Sequence, residues 1–512
     1  MRGILVGRQG VVLGLSFIIG FLGSPAAGEE EGAPPGRQMA SSQLEFNILD
    51  YGAREGGDVL CTQPLQDAID ACGRAGGGRV TVPSGTFLTG GVELRDRVNL
   101  YLEPKAVLLG SPRFNDYPPH EPSTKARYDR YLRTSLLFAQ GADGISVTGE
   151  GTLNGNSQSP NDFMDEDRRA RHRPCLIWFD ECTNVTVKDV TFTSSGFWTE
   201  TYTRCRNVRV DGITVMDSTF RNNDGCNIID CENAVVENCD INALDDGICL
   251  KAYTPQGCKN VVIRNNRVRS LCNGIKAGTD SSGGFQNILI ENNTVWQTGI
   301  AGLALECVDG GVMRNVVVRN IEMDVVETPI FIKLGDRNRP VYVDGVKTTP
   351  DVGTLQDVHI SGIRATVNDA KKYTDEERAV HNYTPYASSI TGIPDHFVER
   401  VTIHDVDIEV LGGFPVRTEE DARRMIEERS TRYPENRMFG ILPAHGFYIR
   451  HAKDLRFSDI RIAIRQEDAR PAFVLDDVHD SAFLNVRTES VTTTPPFRLE
   501  ENCGSNVIAP VP

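Results

Sequence analysis

The chain has 512 residues, 13 cysteines and a formal net charge of −16. So acidic a chain, with no basic face, excludes a nucleic-acid partner, because nothing in it would neutralise the phosphates. The length would ordinarily suggest two or three globular domains, but the chain repeats itself, which argues for a single solenoid.

Met1-Arg2 and Arg8 precede an apolar run from Val11 to Leu22, and the small residues Ser24-Pro25-Ala26-Ala27-Gly28 follow it. That is the layout of a secretory signal, and the run is shorter than the about 20 residues that a membrane span needs. Residues 1–28 are therefore expected to be a signal peptide, the alternative being a retained N-terminal anchor. Residues 29–44 read as a Pro/Gly/Ser-rich linker and 45–512 as one domain. The mature protein is expected to be a monomer without a membrane span, secreted or periplasmic.

Thr62 to Cys72 sets Leu65, Ala68, Ile69 and Cys72 on one face and predicts an amphipathic helix. Gly76-Gly77-Gly78 and a strand, Arg79–Val82, come next. A helix in this place can cap the open end of a solenoid core.

From Thr183 an asparagine followed by alternating apolar residues recurs, at Asn184, Asn207, Asn233, Asn260, Asn287 and Asn315, with intervals of 23, 26, 27, 27 and 28. Each phrase has the period-2 alternation of a strand with one buried face. A strand repeating at a near-fixed period implies stacked coils whose strands pair in parallel about 4.8 Å apart. The asparagines can then hydrogen-bond from coil to coil as a ladder. The fold class is all-β: a single parallel β-helix with an N-terminal capping helix.

A second strand set starts at Gly225, Gly247, Gly274, Gly302 and Pro329. The first and third residues after each start are apolar and face the core. The second and fourth face outward onto one surface carrying Asn227, Cys249, Lys251, Lys276, Glu306 and Lys333. Cys182, Cys205, Cys226, Cys249 and Cys272 recur at 23, 21, 23 and 23 residues. They read as packing residues, one per coil, buried and mostly unpaired. No Cys-x-x-Cys pair or histidine partner points to a metal site, and neither metal nor cofactor is expected. Weaker coil phrases continue at Val358, Val401 and Leu455, with a long surface loop expected over Asn368–Asp395 and an inserted helix over Glu419–Arg429.

The chemistry lies in two acidic turns just before consecutive strands of the second set, Asn222-Asn223-Asp224-Gly225 and Asp245-Asp246-Gly247. Asp224 and Asp246 are 22 residues apart, close to one coil, so the three carboxylates should lie side by side. Like charges that close raise at least one pKa, leaving one group protonated as an acid while another serves as a base. Cleavage of a glycosidic bond by water needs that pairing. An isolated Asp-Gly is commonly just a turn; two in register with a third aspartate are not so easily dismissed.

These motifs, with Phe46–Ala53 and Val82–Phe87, resemble glycoside hydrolase family 28, the polygalacturonases and their relatives, over nearly all of the mature chain. The resemblance implies a right-handed helix, Asp245 as general acid, Asp224 and Asp246 activating water, and inversion at the anomeric carbon. It also implies a pectic polysaccharide or oligosaccharide as partner. Two family motifs differ: Asn273 stands where Gly-His-Gly has histidine, and Ala304-Leu305-Glu306 stands where Arg-Ile-Lys grips a substrate carboxylate. Lys276 and Lys333, expected on coils either side of Glu306, could replace that clamp. Asn222, Asn273, Lys276, Glu306 and Lys333 are thus the candidate substrate-binding positions. The linkage stays open between polygalacturonan and a rhamnogalacturonan or branched side chain. A calcium-dependent lyase and a non-catalytic polysaccharide-binding β-helix are the competing readings.

Overall fold

The computed structural model describes residues 44–122, 132–157, 173–216, 222–343, 345–367, 387–410, 422–423, 425–491, 494–500 and 502–510. The expected signal peptide, and the linker up to its last residue, lie outside the described residues.

Between Cys175 and Ser270 each coil contributes three short strands. Cys175–Asp180, Thr183–Lys188 and Thr191–Thr193 make one coil, and Glu200–Thr203, Arg206–Asp211 and Thr214–Met216 the next. Cys226–Ile229, Glu232–Glu237 and Asp240–Ala243 follow, then Ile248–Ala252, Cys258–Arg264 and Arg267–Ser270. Further on, strands merge into the runs Phe285–Cys307 and Val312–Leu334. Strands pair in parallel with the coil one turn on; among the described residues the one antiparallel two-stranded sheet is Val341–Val343 with Val346–Thr348. The fold is a parallel β-helix.

The coils stack because like sits on like. Val185, Val208, Ala234, Val261, Ile288, Val316, Val358 and Val401 follow one another in register, all buried. Burying such a side chain stabilises by roughly 1.5–3 kcal/mol for Val or Ile. Toward the C-terminal end the core turns aromatic, with Phe447, Phe473 and Phe497 stacked at centroid spacings of 5.4 and 4.7 Å. Thr62–Arg74 is a helix that buries Leu65, Ala68, Ile69 and Cys72 at the N-terminal end. Gln66 pins it there, exchanging hydrogen bonds with the backbone of Glu93.

The asparagine ladder is present: the side-chain amide of each of Asn207, Asn233, Asn260, Asn287 and Asn315 donates to the carbonyl of the asparagine one coil earlier, at 2.9–3.2 Å. Each sits at a φ of 54–58°, where asparagine tolerates the left-handed bend.

The five regularly spaced cysteines fall one per coil and are unpaired, four of them buried. They do not share one position in the coil, and two further expectations need correction. Cys182, Cys205, Cys231 and Cys258 form the stack, each at the turn before the asparagine phrase, as the backbone bonds Arg206 N to Cys182 O, Glu232 N to Cys205 O and Lys259 N to Cys231 O show. Cys226 faces the core from a different strand, Cys249 faces outward, and Cys272 sits half-buried in a turn. All thirteen cysteines are unpaired. Within the expected loop, Ser388–Thr391 is a strand of the second set, paired with Phe331–Lys333; residues 368–386 lie outside the described residues. Within the expected helix, residues 425–429 are non-helical, because they run over the outward face and spend their polar groups on it: Arg450 donates to Ile426 O at 2.8 Å and His451 meets Glu428 at 2.9 Å.

Candidate active site

The second strand set positions the site. Its starting glycines lie where neighbouring coils press together: a Cβ on Gly225 would stand 2.6 Å from Gly247 O, and one on Gly247 2.6 Å from Gly274 O. The chain therefore turns sharply just before each strand, and the residues preceding these glycines, Asp224, Asp246 and Asn273, stack on three successive coils. The backbone bonds Gly225 N to Asp246 O and Gly247 N to Asn273 O, at 2.9 and 2.8 Å, fix that stack. Asn223 locks the first turn, its amide donating to the carbonyls of Ser195 and Phe197.

The three aspartates do not share one environment. Asp224 is buried and its Oδ2 takes a hydrogen bond from the Lys251 ammonium at 2.6 Å. Burial nonetheless pushes its carboxyl above the usual range. Asp246 accepts from the Asn273 side-chain amide at 2.7 Å and lies 3.3 Å from the Lys276 ammonium. Against the cost of burial, Lys276, Lys251 and Asn273 hold it below the ordinary range. Asp245 is half-buried, and the contacts to its Oδ2 are the backbone N–H of Asn222 at 3.1 Å and that residue's amide at 3.5 Å. Burial and the facing charges of Asp224 and Asp246 push it up to about 7. The three carboxyls therefore do not titrate alike: Asp245 is pushed up toward neutral pH while Asp246 is held low.

Asn222 thus orients Asp245 through its backbone N–H, and its side-chain Oδ1 accepts from the Arg173 guanidinium at 3.0 Å. Asn273, at the position where histidine was expected, orients Asp246 and accepts from Ala301 N at 3.3 Å. Lys276 bridges Asp246 and Glu306, 3.7 Å away. Lys333 does not join this group. It is paired in register with Glu306, but its ammonium donates to Gly392 O at 3.1 Å under the ring of Phe439, and burial lowers its pKa to about 7. The clamp expected from Lys276 and Lys333 is not assembled, since one lysine is engaged internally and the other is covered.

Several contributors escaped the sequence reading. Lys251, noted there as outward-facing, is the cation on Asp224; it also contacts Asn227 Oδ1 and lies 4.6 Å from the Trp198 ring centroid. Its place four residues after Gly247 was the available signal. Arg173 packs over Phe197, and Tyr433 lies over Lys276 at 5.6 Å. Both come from irregular segments, where no periodicity marks them. The oxygens of Asp224 and Asp246 and the Cys249 sulfur lie within 4.8 Å of one another. A divalent cation there would meet the Lys251 and Lys276 ammonium groups, already placed against both carboxylates.

The fold is a parallel β-helix, and three carboxyl groups meet on neighbouring coils at the edge of its outward face. The chain belongs to glycosyl hydrolases family 28, whose sequence model matches residues 72–383. Over 217 residues it is 29% identical to a "Probable polygalacturonase" of Vitis vinifera, the match covering 40% of this chain and 44% of that one. The chain spans about half the length of such curated relatives. Among solved structures, a family 28 exopolygalacturonase of Yersinia enterocolitica superposes with a TM-score of 0.64 at 19% identity, covering 88% of this chain and 79% of that one. A hyperthermoactive exopolygalacturonase from Thermotoga maritima gives 0.58 at 22%, covering 72% and 89%. At these identities the structural likeness is one of fold. Among the described residues, no helix is long and apolar enough to cross a membrane.

Proposed function

We propose that this protein hydrolyses α-glycosidic bonds in a galacturonate-containing pectic polysaccharide or oligosaccharide, outside the cytoplasm where such polymers occur. The observation that carries the reading is the unequal treatment of the three aspartates: Asp224 and Asp246 each face a lysine, whereas the Oδ2 of Asp245 takes its contacts from Asn222. Asp245 gives its proton to the leaving glycosidic oxygen as the bond to the anomeric carbon breaks. A water adds to that carbon from the opposite face and passes a proton to Asp246, with Asp224 beside it. The products are two shorter saccharides, one with an inverted anomeric centre. Family membership and the polygalacturonase names of the relatives support the substrate class.

A second reading, a rhamnogalacturonan or branched-pectin hydrolase, is favoured by Ala304 and Glu306 at the clamp position and by the internal engagement of Lys276. Product analysis on a panel of pectic polymers separates the two, and NMR of the first-formed anomer tests inversion. Asp245→Asn should lower kcat by about 10²–10⁴-fold, the share general acid catalysis supplies, with the fold intact by circular dichroism. A near-unchanged rate on a substrate with a poor leaving group would overturn the assignment.

A further inference from the structure

The outward face that carries the site is roofed by the chain itself. In register with Lys276, one outward position per coil runs on through Ala304, Phe331, Ser389, Tyr448 and Val474, all of them buried. Met438, Phe439 and Leu442 form one apolar cluster with Ala304, Phe331 and Tyr448. Asn436 ties that segment down, its amide donating to Thr328 Oγ1 at 2.7 Å and to Ile300 O at 3.2 Å. Arg437 adds an ion pair to the buried Glu327 at 3.0 Å. In the other direction the same row runs back from Lys276 through Cys249, Asn227 and Thr201 to Trp178 and Phe138, again buried. His120 stacks on Phe138 at a centroid distance of 3.6 Å, and Phe197, Trp198 and Tyr253 share an apolar cluster with Trp178. Between the two roofs the turns come to the surface: Asp245 and Cys272 are half-buried and Asn222 is exposed.

A polysaccharide cut at an inner bond must leave the site in both directions. One roof begins at Ala304, two coils past Asp246, and the other at Trp178, two coils before Asp224. With coils about 4.8 Å apart, each is only about 10 Å away along the axis. Both roofs are packed apolar clusters, and lifting either would expose apolar surface to water. Along the described residues of this face the floor is closed on both sides, and a chain end fits where a passing chain does not.

We propose that the protein attacks its substrate at a chain end: the 436–444 segment and the cluster around Trp178 confine the site to a terminal stretch of saccharide. This rests on the hydrolase reading. The action pattern on polygalacturonate and on rhamnogalacturonan, whichever is cleaved, tests it. Mono- or disaccharides should be the first products, and viscosity should fall no faster than reducing ends are released. Early loss of viscosity with a ladder of intermediate lengths would overturn the closed site while leaving the hydrolase reading intact. Binding gives a second measure that needs no cleavage. Calorimetry of the Asp245→Asn variant with oligosaccharides of each polymer should show affinity changing by less than about threefold from tetramer to decamer, because the added residues find no further contacts. A larger, continuing rise with length would overturn the proposal. Level affinity in a protein that cleaves no pectic polymer would support the closed site while removing the hydrolase reading, and no binding at any length would overturn both.

Discussion

Glu200 offers a sharp test of how the core is built, because it is a carboxyl group facing inward. In register it stands between Ile177 and Cys226, fully buried. Its Oε1 accepts from the Tyr202 hydroxyl at 2.7 Å, and among the described residues its Oε2 has no hydrogen-bond partner. Burial pushes its pKa up to about 8. In the unfolded chain a glutamate releases its proton near pH 4.3, so between that value and 8 the folded state holds a proton that the unfolded state has lost. Stability should fall with rising pH across that window, at up to about 1.4 kcal/mol per pH unit, or roughly 3–5 kcal/mol in all. Glu200→Gln stays neutral throughout and loses this dependence. An amide leaves a buried N–H unsatisfied at a cost of about 1–3 kcal/mol, so at pH 5 the variant should be level with the wild type or less stable. By pH 8 it should be the more stable. Melting temperatures from pH 5 to 8.5 measure the crossing, with a relative gain of a few degrees for a chain of this size. A variant-minus-wild-type difference that stays flat with pH, or moves against the variant, would refute a protonated Glu200.

Lys333→Met should leave kcat/KM within about twofold and raise stability, more so below pH 7, because its lowered pKa means that folding works against its charge; a large loss on uronate substrates alone would place it in the cleft. Thiol titration of unfolded, unreduced protein should find close to 13 thiols per chain, as all are unpaired, while few react in the native state, where only Cys272 and Cys503 are half-buried. Nine or fewer in the unfolded protein would contradict the unpaired state.

The parallel β-helix, its capping helix and the acidic turns could be read directly because each depends on short-range pattern repeated by the coil: alternation for the strands, a left-handed asparagine at each phrase, and aspartates before a glycine that neighbouring coils crowd. The five evenly spaced cysteines keep one place per coil in count but not in position, for a related reason. Coil length grows from 23 to 26 and 27 residues between Asn184 and Asn260, so a constant count of about 23 drifts from the turn at Cys205 into the strand at Cys226, whereas the stack continues at Cys231. Equal spacing is equal position only while the turns keep their length.

The resemblance already implied Asp245 as the acid, but the environments that set the three aspartates apart could not be read from the periodicity, since they depend on where the lysine ammonium groups end up. Lys276 aligns with Ala304, not Glu306, yet its long side chain reaches both Asp246 and Glu306. Lys333 aligns with Glu306 and its ammonium goes to Gly392. Periodicity determines the face on which a side chain stands. The direction of a flexible four-carbon stem, and the burial that gives its charge weight, are decided by the irregular segments folded over that face, which carry Arg173 and Tyr433 and have no period to read.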